Sequence, residues 1–334
     1  MVFNITECVD FHHGKRIVIT ILVCGHDVVI IMHKEGDALL IQQPVYFPFR
    51  EVIEDNGRIF VNNQLHYEDG KYTIDFEDFE KKIVDNNVKV FILCNPHNPV
   101  GRVWTKEELE KMGDICLKHN VVIMDDEIHC DFTYPGFKFT SFMTLDKKYH
   151  NSLVLYTSPS KTFNVAGLQP ANIIIKNQEL RAAYRKANVA AGYSQGSIMG
   201  QVAVKSVYTK GDEWVNELVE YITGNMNYMR DFVKENFPKA QFVDPEGTYL
   251  TWVDFSGYGF TDEELEHIMV EEAHLWLDSG KVFGPATAQF ERFNLACPRA
   301  TVVKAMEIKQ MQKTVRKRLQ SSRTKHVLLL ITSR

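Results

Sequence analysis

The sequence predicts an α/β protein with a mostly parallel sheet, followed by a smaller C-terminal α+β domain. Short apolar runs alternate with longer amphipathic patterns through the middle of the chain, as they do in βαβ units. After about Asn177 the pattern changes to helical stretches interrupted by one strand-like run, Tyr249–Asp254. The 334 residues suit one large domain and one smaller domain.

Apolar runs bounded by turn residues predict the strands of the main sheet. They are Ala38–Gln42, Val90–Cys94, Val121–Met124, Leu153–Tyr156 and Ile173–Ile175. We expect Ile59–Asn62 and Gln64–Tyr67 to form a hairpin-like excursion beside them.

The clearest predicted helix is Thr105–His119. Thr105 can cap its N-terminus, and Glu107 and Glu108 suit the first turn because the helix dipole favours negative charge there. Its apolar side chains recur at helical spacing: Leu109, Met112, Ile115 and Cys116. Later helical patterns cover Glu179–Ala190, Met199–Tyr208, Trp214–Asn236 and Thr261–Ala273, the last opened by a capping-box sequence.

Both ends of the chain differ from its middle. Residues 1–34 carry a dense Val/Ile run without βα punctuation, and the chain becomes strongly basic beyond Met306, which we interpret as a solvated terminus. The predicted organisation is an atypical N-terminal segment (1–35), a large domain (36–210), a bridging helix with a small domain (211–306) and a basic tail (307–334).

Composition argues against several classes of protein. The net charge of −5 gives no reason to expect nucleic acid as a partner, and no apolar run reaches the ~18 residues that a membrane span requires. The six cysteines show neither a CxxC pair nor metal-type spacing, which favours reduced thiols and no metal site. Because the start does not match a signal peptide, the predicted location is the cytoplasm.

Polar side chains follow three of the predicted strands at the point where each strand ends. The segments are Asn95-Pro96-His97-Asn98-Pro99, Asp125-Asp126-Glu127-Ile128-His129 and Ser158-Pro159-Ser160-Lys161-Thr162. Open α/β sheets bind their ligands at this edge. A lysine there can form a Schiff base with pyridoxal 5'-phosphate (PLP), and a carboxylate can pair with the ring nitrogen. The sequence therefore predicts a PLP enzyme.

The candidate cofactor contacts follow from side-chain chemistry. Partial burial would lower the pKa of Lys161 and supply a neutral amine, while Ser158 and Ser160 can donate to a phosphate. Asp126, if buried, needs a cationic partner such as a protonated pyridine. His129 can donate to the phenolic oxygen of the cofactor. Taken singly, each of these residues also fits a surface, turn or core position.

Three further candidates lie elsewhere in the sequence. The prolines around Asn98 restrict its backbone and fix its amide as a second donor to the phenolic oxygen. Tyr46 can stack on a planar ring, although a core position explains it equally. A guanidinium, from Arg292 or Arg299, is the natural bidentate partner for a substrate carboxylate.

Taken together, these motifs resemble the fold-type I PLP family. Within it, the sequence is most similar to the MalY/PatB-type cystathionine β-lyases, a branch of the class I/II aminotransferase superfamily, from about Gly36 to Arg299. The matching segments are Gln43-Pro44-Val45-Tyr46, Asn95–Gly101, Asp126–His129, Ser158–Phe163, Gly247-Thr248-Tyr249, Trp276–Gly280 and Glu291–Arg299.

The resemblance implies a three-layer PLP-transferase fold, a homodimer and an amino-acid substrate. The large domain, 36–210, would bind PLP, and the lysine that bonds to the cofactor falls on Lys161. The other implied contacts are Asp126 for the pyridine nitrogen, Asn98 and His129 for the phenolic oxygen, Tyr46 for ring stacking, Ser158 and Ser160 for the phosphate, and Arg292 for the substrate α-carboxylate.

The sequence departs from the family at three places. Residues 1–34 do not match the family's N-terminal portion, which carries a phosphate-binding loop and supplies active-site residues across the dimer. Phe283-Gly284 leads into Pro285-Ala286-Thr287 rather than a glycine-rich loop, and the chain after Met306 does not match the usual ending. We therefore expect the family's N-terminal portion to be missing.

The predicted function is a carbon–sulfur β-lyase that acts on cystathionine or related cysteine thioethers and yields pyruvate, ammonia and a thiol. The same residues would serve a class I/II aminotransferase, so that alternative stays open. A truncated chain with weak or no activity is the third possibility.

Overall fold

The computed structural model describes residues 2–4, 34–190 and 197–307 of the chain. Its larger sheet has seven strands, in the order β1-β9-β8-β7-β6-β2-β3. The strands of this sheet are β1 (Val2–Asn4), β2 (Ala38–Ile41), β3 (Ile59–Asn62), β6 (Val90–Cys94), β7 (Val122–Asp126), β8 (Leu153–Thr157) and β9 (Asn172–Ile175). Two further strands, β4 (His66–Glu68) and β5 (Lys71–Thr73), form a separate two-stranded sheet.

Helices connect these strands and continue beyond the sheet. They are α1 (Pro48–Asp55), α2 (Phe76–Asp85), α3 (Lys106–Lys118), α4 (Gln178–Ala190), α5 (Ile198–Lys210), α6 (Asp212–Asn236), α7 (Asp262–His267) and α8 (Arg299–Met306). Strands β3, β2, β6, β7 and β8 are mutually parallel. The predicted α/β class with a mostly parallel sheet is therefore confirmed.

One prediction about strand pairing was wrong. The segment Ile59–Asn62 does not form a hairpin with Gln64–Tyr67 but pairs in parallel with β2, because α1 supplies the crossover between them. The hairpin lies one step later, between β4 and β5. Strand β9, which was predicted as a strand of this sheet, runs antiparallel to β8, because the chain between them turns back without a crossover helix.

Helix α3 shows how local sequence signals determine an element of this layer. Thr105 accepts from the Glu108 N–H and Glu108 accepts from the Thr105 N–H, which completes the predicted capping box. Leu109, Met112 and Cys116 are fully buried against the sheet. The apolar stripe and the cap therefore fix both the face and the start of the helix.

The C-terminal part of the chain forms an antiparallel sheet with the order β10-β11-β13-β12. Its strands are β10 (Gln241–Val243), β11 (Leu250–Asp254), β12 (Asp278–Ser279) and β13 (Phe290–Asn294). Helix α6 packs its apolar face, including Met226, Met229 and Val233, into the core of this unit. The predicted α+β character is confirmed, while the domain boundary at 210/211 stays a prediction.

Helix α7 begins with the predicted capping box, in which Thr261 and Glu264 exchange hydrogen bonds. The predicted helix to Ala273 continues instead as a π-helical turn, Ile268–Glu272. Across residues 34–190 and 197–307, no helix combines the length and the apolar character needed to cross a bilayer.

Candidate active site

A cavity of about 310 Å³ lies between the carboxyl ends of the parallel strands and the C-terminal sheet. Its volume is at the lower end of the range typical of small-molecule sites. Seven of the eight predicted site residues line it: Tyr46, Asn98, Asp126, His129, Ser158, Lys161 and Arg292. The structure therefore brings together side chains that lie up to 246 residues apart in the sequence.

Lys161 follows β8 and is largely buried in this cavity. Burial lowers the pKa of its ammonium group, and the nearby Arg292 lowers it further, whereas Asp126 opposes both effects. The net shift is downward, so a larger fraction of the amine is neutral near pH 7 than in an exposed lysine.

Asp126 ends β7 and faces the same cavity. Burial raises the pKa of its carboxyl group to about 6, although the Ile128 N–H, 3.1 Å from Oδ1, and the charge of Lys161 act in the opposite direction. A buried carboxyl group with a raised pKa favours a cationic partner, because a neighbouring positive charge would lower its pKa towards the ordinary value.

Arg292 joins the two sheets across the cavity. Its Nη1 donates to Asn98 Oδ1 at 2.8 Å, while Nη2 and Nε donate to Asp278 Oδ2 at 2.5 and 3.2 Å. Its guanidinium also lies 4.9 Å from the ring centre of Phe283. Because the carbonyl oxygen of Asn98 is occupied, its NH₂ group is oriented as a donor.

His129 is buried and electrically neutral. Burial, with the positive charges of Lys161 and Arg292, lowers its pKa to about 3. Its ring meets Tyr249 edge-on at 5.3 Å, and Nδ1 has no hydrogen-bond partner among the described residues. A buried imidazole nitrogen without a partner is rare in folded proteins, which makes it a candidate contact for a ligand.

Tyr46 lies two residues before the start of α1, and its ring packs edge-on against that of Phe49, with the ring centres 5.6 Å apart. Burial and the charge of Asp126 raise the pKa of its hydroxyl group to about 12. Tyr46 therefore presents a neutral aromatic ring to the cavity.

The two serines differ in position. Ser158 lines the cavity, but its hydroxyl donates to the Pro170 carbonyl and accepts from the Ser160 N–H, so a phosphate oxygen must compete for its proton. Ser160 is buried and does not line the cavity. The predicted contact between Ser160 and the phosphate stays a prediction, and the position of Ser160 outside the cavity lining does not support it.

Sequence reasoning missed several residues of the cavity wall, notably Tyr249, Asp278 and Asn294. All three lie in segments that carried the family resemblance, but nothing local marked them as site residues. The structure also separates the two candidate arginines. Arg299 donates to Asn225 Oδ1 at 2.6 Å instead of reaching the cavity.

These residues fit PLP. The buried carboxyl group of Asp126, with its raised pKa, suits a protonated pyridine nitrogen. The oriented amide of Asn98 and the partnerless Nδ1 of His129 suit a phenolic oxygen. The amine of Lys161 matches the aldehyde of that cofactor. The expected absence of the family's phosphate-binding loop concerns residues 1–34, almost all of which lie outside the described residues.

A family model described as aminotransferase class I and II matches residues 24–308. The chain belongs to this family. Cystathionine beta-lyase PatB of Bacillus subtilis is 42% identical over 267 residues, which make up 80% of this chain and 69% of PatB. Protein MalY of Escherichia coli is 30% identical over 272 residues, which make up 81% of this chain and 69% of MalY.

Solved structures agree with this family. Cystalysin from Treponema denticola, whose crystal structure contains PLP, matches with a TM-score of 0.87 and 34% identity over 94% of this chain and 76% of cystalysin. The PLP-bound C–S lyase from Staphylococcus hominis matches with a TM-score of 0.80 and 32% identity over 88% of this chain and 76% of that lyase. The predicted resemblance and cofactor are confirmed: this chain is a PLP enzyme of the class I/II aminotransferase family and is similar to the cystathionine β-lyases.

Proposed function

We propose that this enzyme cleaves the Cβ–S bond of cystathionine or related cysteine thioethers, converting the thioether and water into pyruvate, ammonia and a thiol. The observation that carries the choice of reaction is the 42% identity to cystathionine beta-lyase PatB across 80% of the chain. The residues lining the cavity supply the groups that such a reaction needs.

Each residue has one proposed task. Arg292 binds the substrate α-carboxylate, since its planar guanidinium can donate two parallel hydrogen bonds to the two carboxylate oxygens. Asp126 provides a negative charge beside the pyridine nitrogen, and Asn98 and His129 contact the phenolic oxygen. PLP, when bound, accepts the electron pair that is released at the substrate Cα.

Lys161 then moves the proton. Its buried amine has a lowered pKa and can remove the Cα proton as a general base. With the electron pair available at Cα, the sulfur leaves from Cβ as a thiolate, and water completes the conversion to pyruvate and ammonia. Tyr46 lines the site and offers its ring for stacking on the planar cofactor.

Transamination uses the same side chains and differs in where Lys161 returns the proton. Incubation of the holoenzyme with cystathionine, in the absence of any keto acid, separates the two reactions. We expect pyruvate and thiol in equal amounts. A requirement for added keto acid would replace the lyase by the aminotransferase. If PLP binds and neither product forms, the inactive chain is the correct alternative.

A matched pair of variants ties the reaction to the proposed base. Lys161→Ala should abolish pyruvate release, because it removes the amine. Lys176→Ala removes an exposed lysine at the end of β9 and should leave the rate unchanged. Equal rates in the two variants would contradict the role of Lys161.

We also propose that the enzyme is a homodimer. Helix α5 exposes large apolar side chains that a second copy would cover, namely Ile198 (77%), Met199 (64%) and Val202 (54%). Light scattering should give twice the chain mass of 38.5 kDa, and Met199→Asp should shift the particle towards the monomer. A monomeric wild-type holoenzyme would contradict this proposal.

A further inference from the structure

A second cavity of about 570 Å³ adjoins the active site. Phe47 and Asp278 line both cavities. The second cavity is formed by α7, the π-helical turn after it, β12 and β13. None of the proposed catalytic steps uses it.

The walls of this cavity are strongly acidic. Five carboxyl side chains line it: Glu263, Glu266, Glu271, Asp278 and Glu291. Lys281 also lines the cavity, and it forms an ion pair with Glu266. The remaining carboxylates give the cavity a net negative charge, which favours a cationic ligand.

Glu291 is the most informative of these residues. Its side chain is only 2% exposed, yet it lines the cavity and has no hydrogen-bond or ion-pair partner among the described residues. Burial, together with the charges of Glu266 and Asp278, raises its pKa to about 8. A buried carboxyl group without a partner is costly, and a cation in the cavity would remove that cost.

Trp276 adds an aromatic surface to the same cavity. Its side chain is 91% exposed, which is unusual for tryptophan, and it belongs to the cavity lining. The face of an indole ring attracts organic cations through its quadrupole. Across the described residues, no cluster of three metal-ligating side chains suits a metal ion, so an organic cation fits better than a metal.

We propose that this cavity binds an organic ammonium group, with Glu291 and Asp278 as its counter-ions and Trp276 as its aromatic wall. The group has two sources: the distal amino group of a diamino thioether such as cystathionine, or a free amine. The first source rests on the proposed lyase function, whereas the second does not.

Occupation of the cavity would reach the active site through Asp278. This carboxylate accepts two hydrogen bonds from Arg292, the residue proposed to bind the substrate α-carboxylate. A cation beside Asp278 weakens that ion pair and leaves Arg292 freer to bind the substrate. Ammonium binding should therefore lower the KM of a substrate that lacks its own distal amine.

Choline is the probe for the site itself, because a quaternary ammonium cannot react with the aldehyde of PLP. Calorimetric titration of the holoenzyme should detect binding that weakens at least tenfold in Glu291→Gln and about two- to fivefold in Trp276→Ala. Glu220→Gln, an equal charge change on the exposed face of α6, should bind choline like the wild type. No choline binding, or equal affinity in Glu291→Gln, would overturn the proposal.

The affinity for choline should also depend on pH. A cation favours the ionised form of Glu291, so binding at pH 7 should be about tenfold weaker than at pH 9 if its pKa is about 8. The other groups facing the cavity are Glu263, Glu266 and His267 of α7, Glu271 of the π-helical turn, and Asp278 and Lys281. An affinity that does not change with pH would contradict the role of Glu291.

Two substrates distinguish the sources of the ammonium group. If the distal amine of the substrate occupies the cavity, Glu291→Gln should raise the KM for cystathionine about tenfold and leave that for S-methylcysteine unchanged. If a free amine is the ligand, choline should instead lower the KM for S-methylcysteine in the wild type. Equal effects of the variant on both substrates, without choline binding, would refute both sources.

Failure of this proposal differs from failure of the lyase proposal. Pyruvate release by the wild type, with no effect of Glu291→Gln or of choline, would refute only the ammonium site. Choline binding that depends on Glu291, without any pyruvate release, would refute only the lyase and leave the free amine as the ligand.

Discussion

Replacing Asp126 by Asn tests the proposed pairing of a buried carboxylate with the cationic ring of the cofactor. Burial already raises the pKa of Asp126 to about 6, so the carboxylate lacks a sufficient counter-ion before the cofactor binds. Breaking a buried charge pair by removing one partner costs about 3–5 kcal/mol. We therefore expect kcat/KM for pyruvate release to fall by about 10²–10⁴-fold in Asp126→Asn.

Steady-state pyruvate release from cystathionine is the assay, with cofactor content measured separately. Asp55→Asn, the same substitution on the exposed end of α1, should behave like the wild type and serves as the control. A fall of less than about tenfold in fully loaded Asp126→Asn would refute the pairing. The loss of one hydrogen bond to a charged group, at about 1.5–3 kcal/mol, is already worth more than a factor of ten.

The same substitution has the opposite effect on the stability of the cofactor-free protein. The folded pKa of Asp126, about 6, lies above its ordinary value of 3.8, so the folded state loses stability as the pH rises from about 4 to 6. Above pH 6 the neutral Asn removes this penalty. Cofactor-free Asp126→Asn should then be more stable than the wild type by at most about 3 kcal/mol in urea unfolding, and equal stability would contradict the raised pKa of Asp126.

The remaining predictions concern one binding residue and two structural positions. Arg292→Lys loses the bidentate fork, so the KM for the amino-acid substrate should rise about 10–100-fold, and an unchanged KM would place the carboxylate elsewhere. A β-carbon at Gly113 would lie 2.6 Å from Cε1 of Tyr149, so Gly113→Ala should destabilise the fold by about 1–3 kcal/mol in urea unfolding, and wild-type stability would contradict this packing. Thr105→Ala removes the cap of α3 and should cost about 1 kcal/mol in the same measurement, whereas no loss would mean that the cap does not stabilise the helix.

Local signals predicted the parts of the fold that local interactions determine. Strand β6 begins and ends at the predicted residues, and α3 begins after the predicted cap, because apolar runs and capping residues act within a few positions. The edge position of the site was predictable for a similar reason. Ligand-binding side chains in such sheets follow directly after buried strands, as Asn98 and Lys161 do.

Long-range pairing was beyond the reach of the same signals. An apolar run such as β9 reads alike whether its neighbour is parallel or antiparallel, and only the connection decides the direction. Asp278 escaped notice because its importance depends on Arg292, which lies 14 residues away in the sequence and is its direct partner on the neighbouring strand. Glu291 lies in a segment that carried the family resemblance, but nothing local marked it, since its unusual character comes from burial without a partner.

Locating the cofactor bond tests the central claim most directly. The holoenzyme would be reduced with borohydride, digested and analysed by mass spectrometry for the modified lysine. We predict a single modified site, Lys161, and no modified peptide from Lys161→Ala. Modification of a different lysine, with Lys161 unmodified in fully loaded enzyme, would contradict the proposed active site.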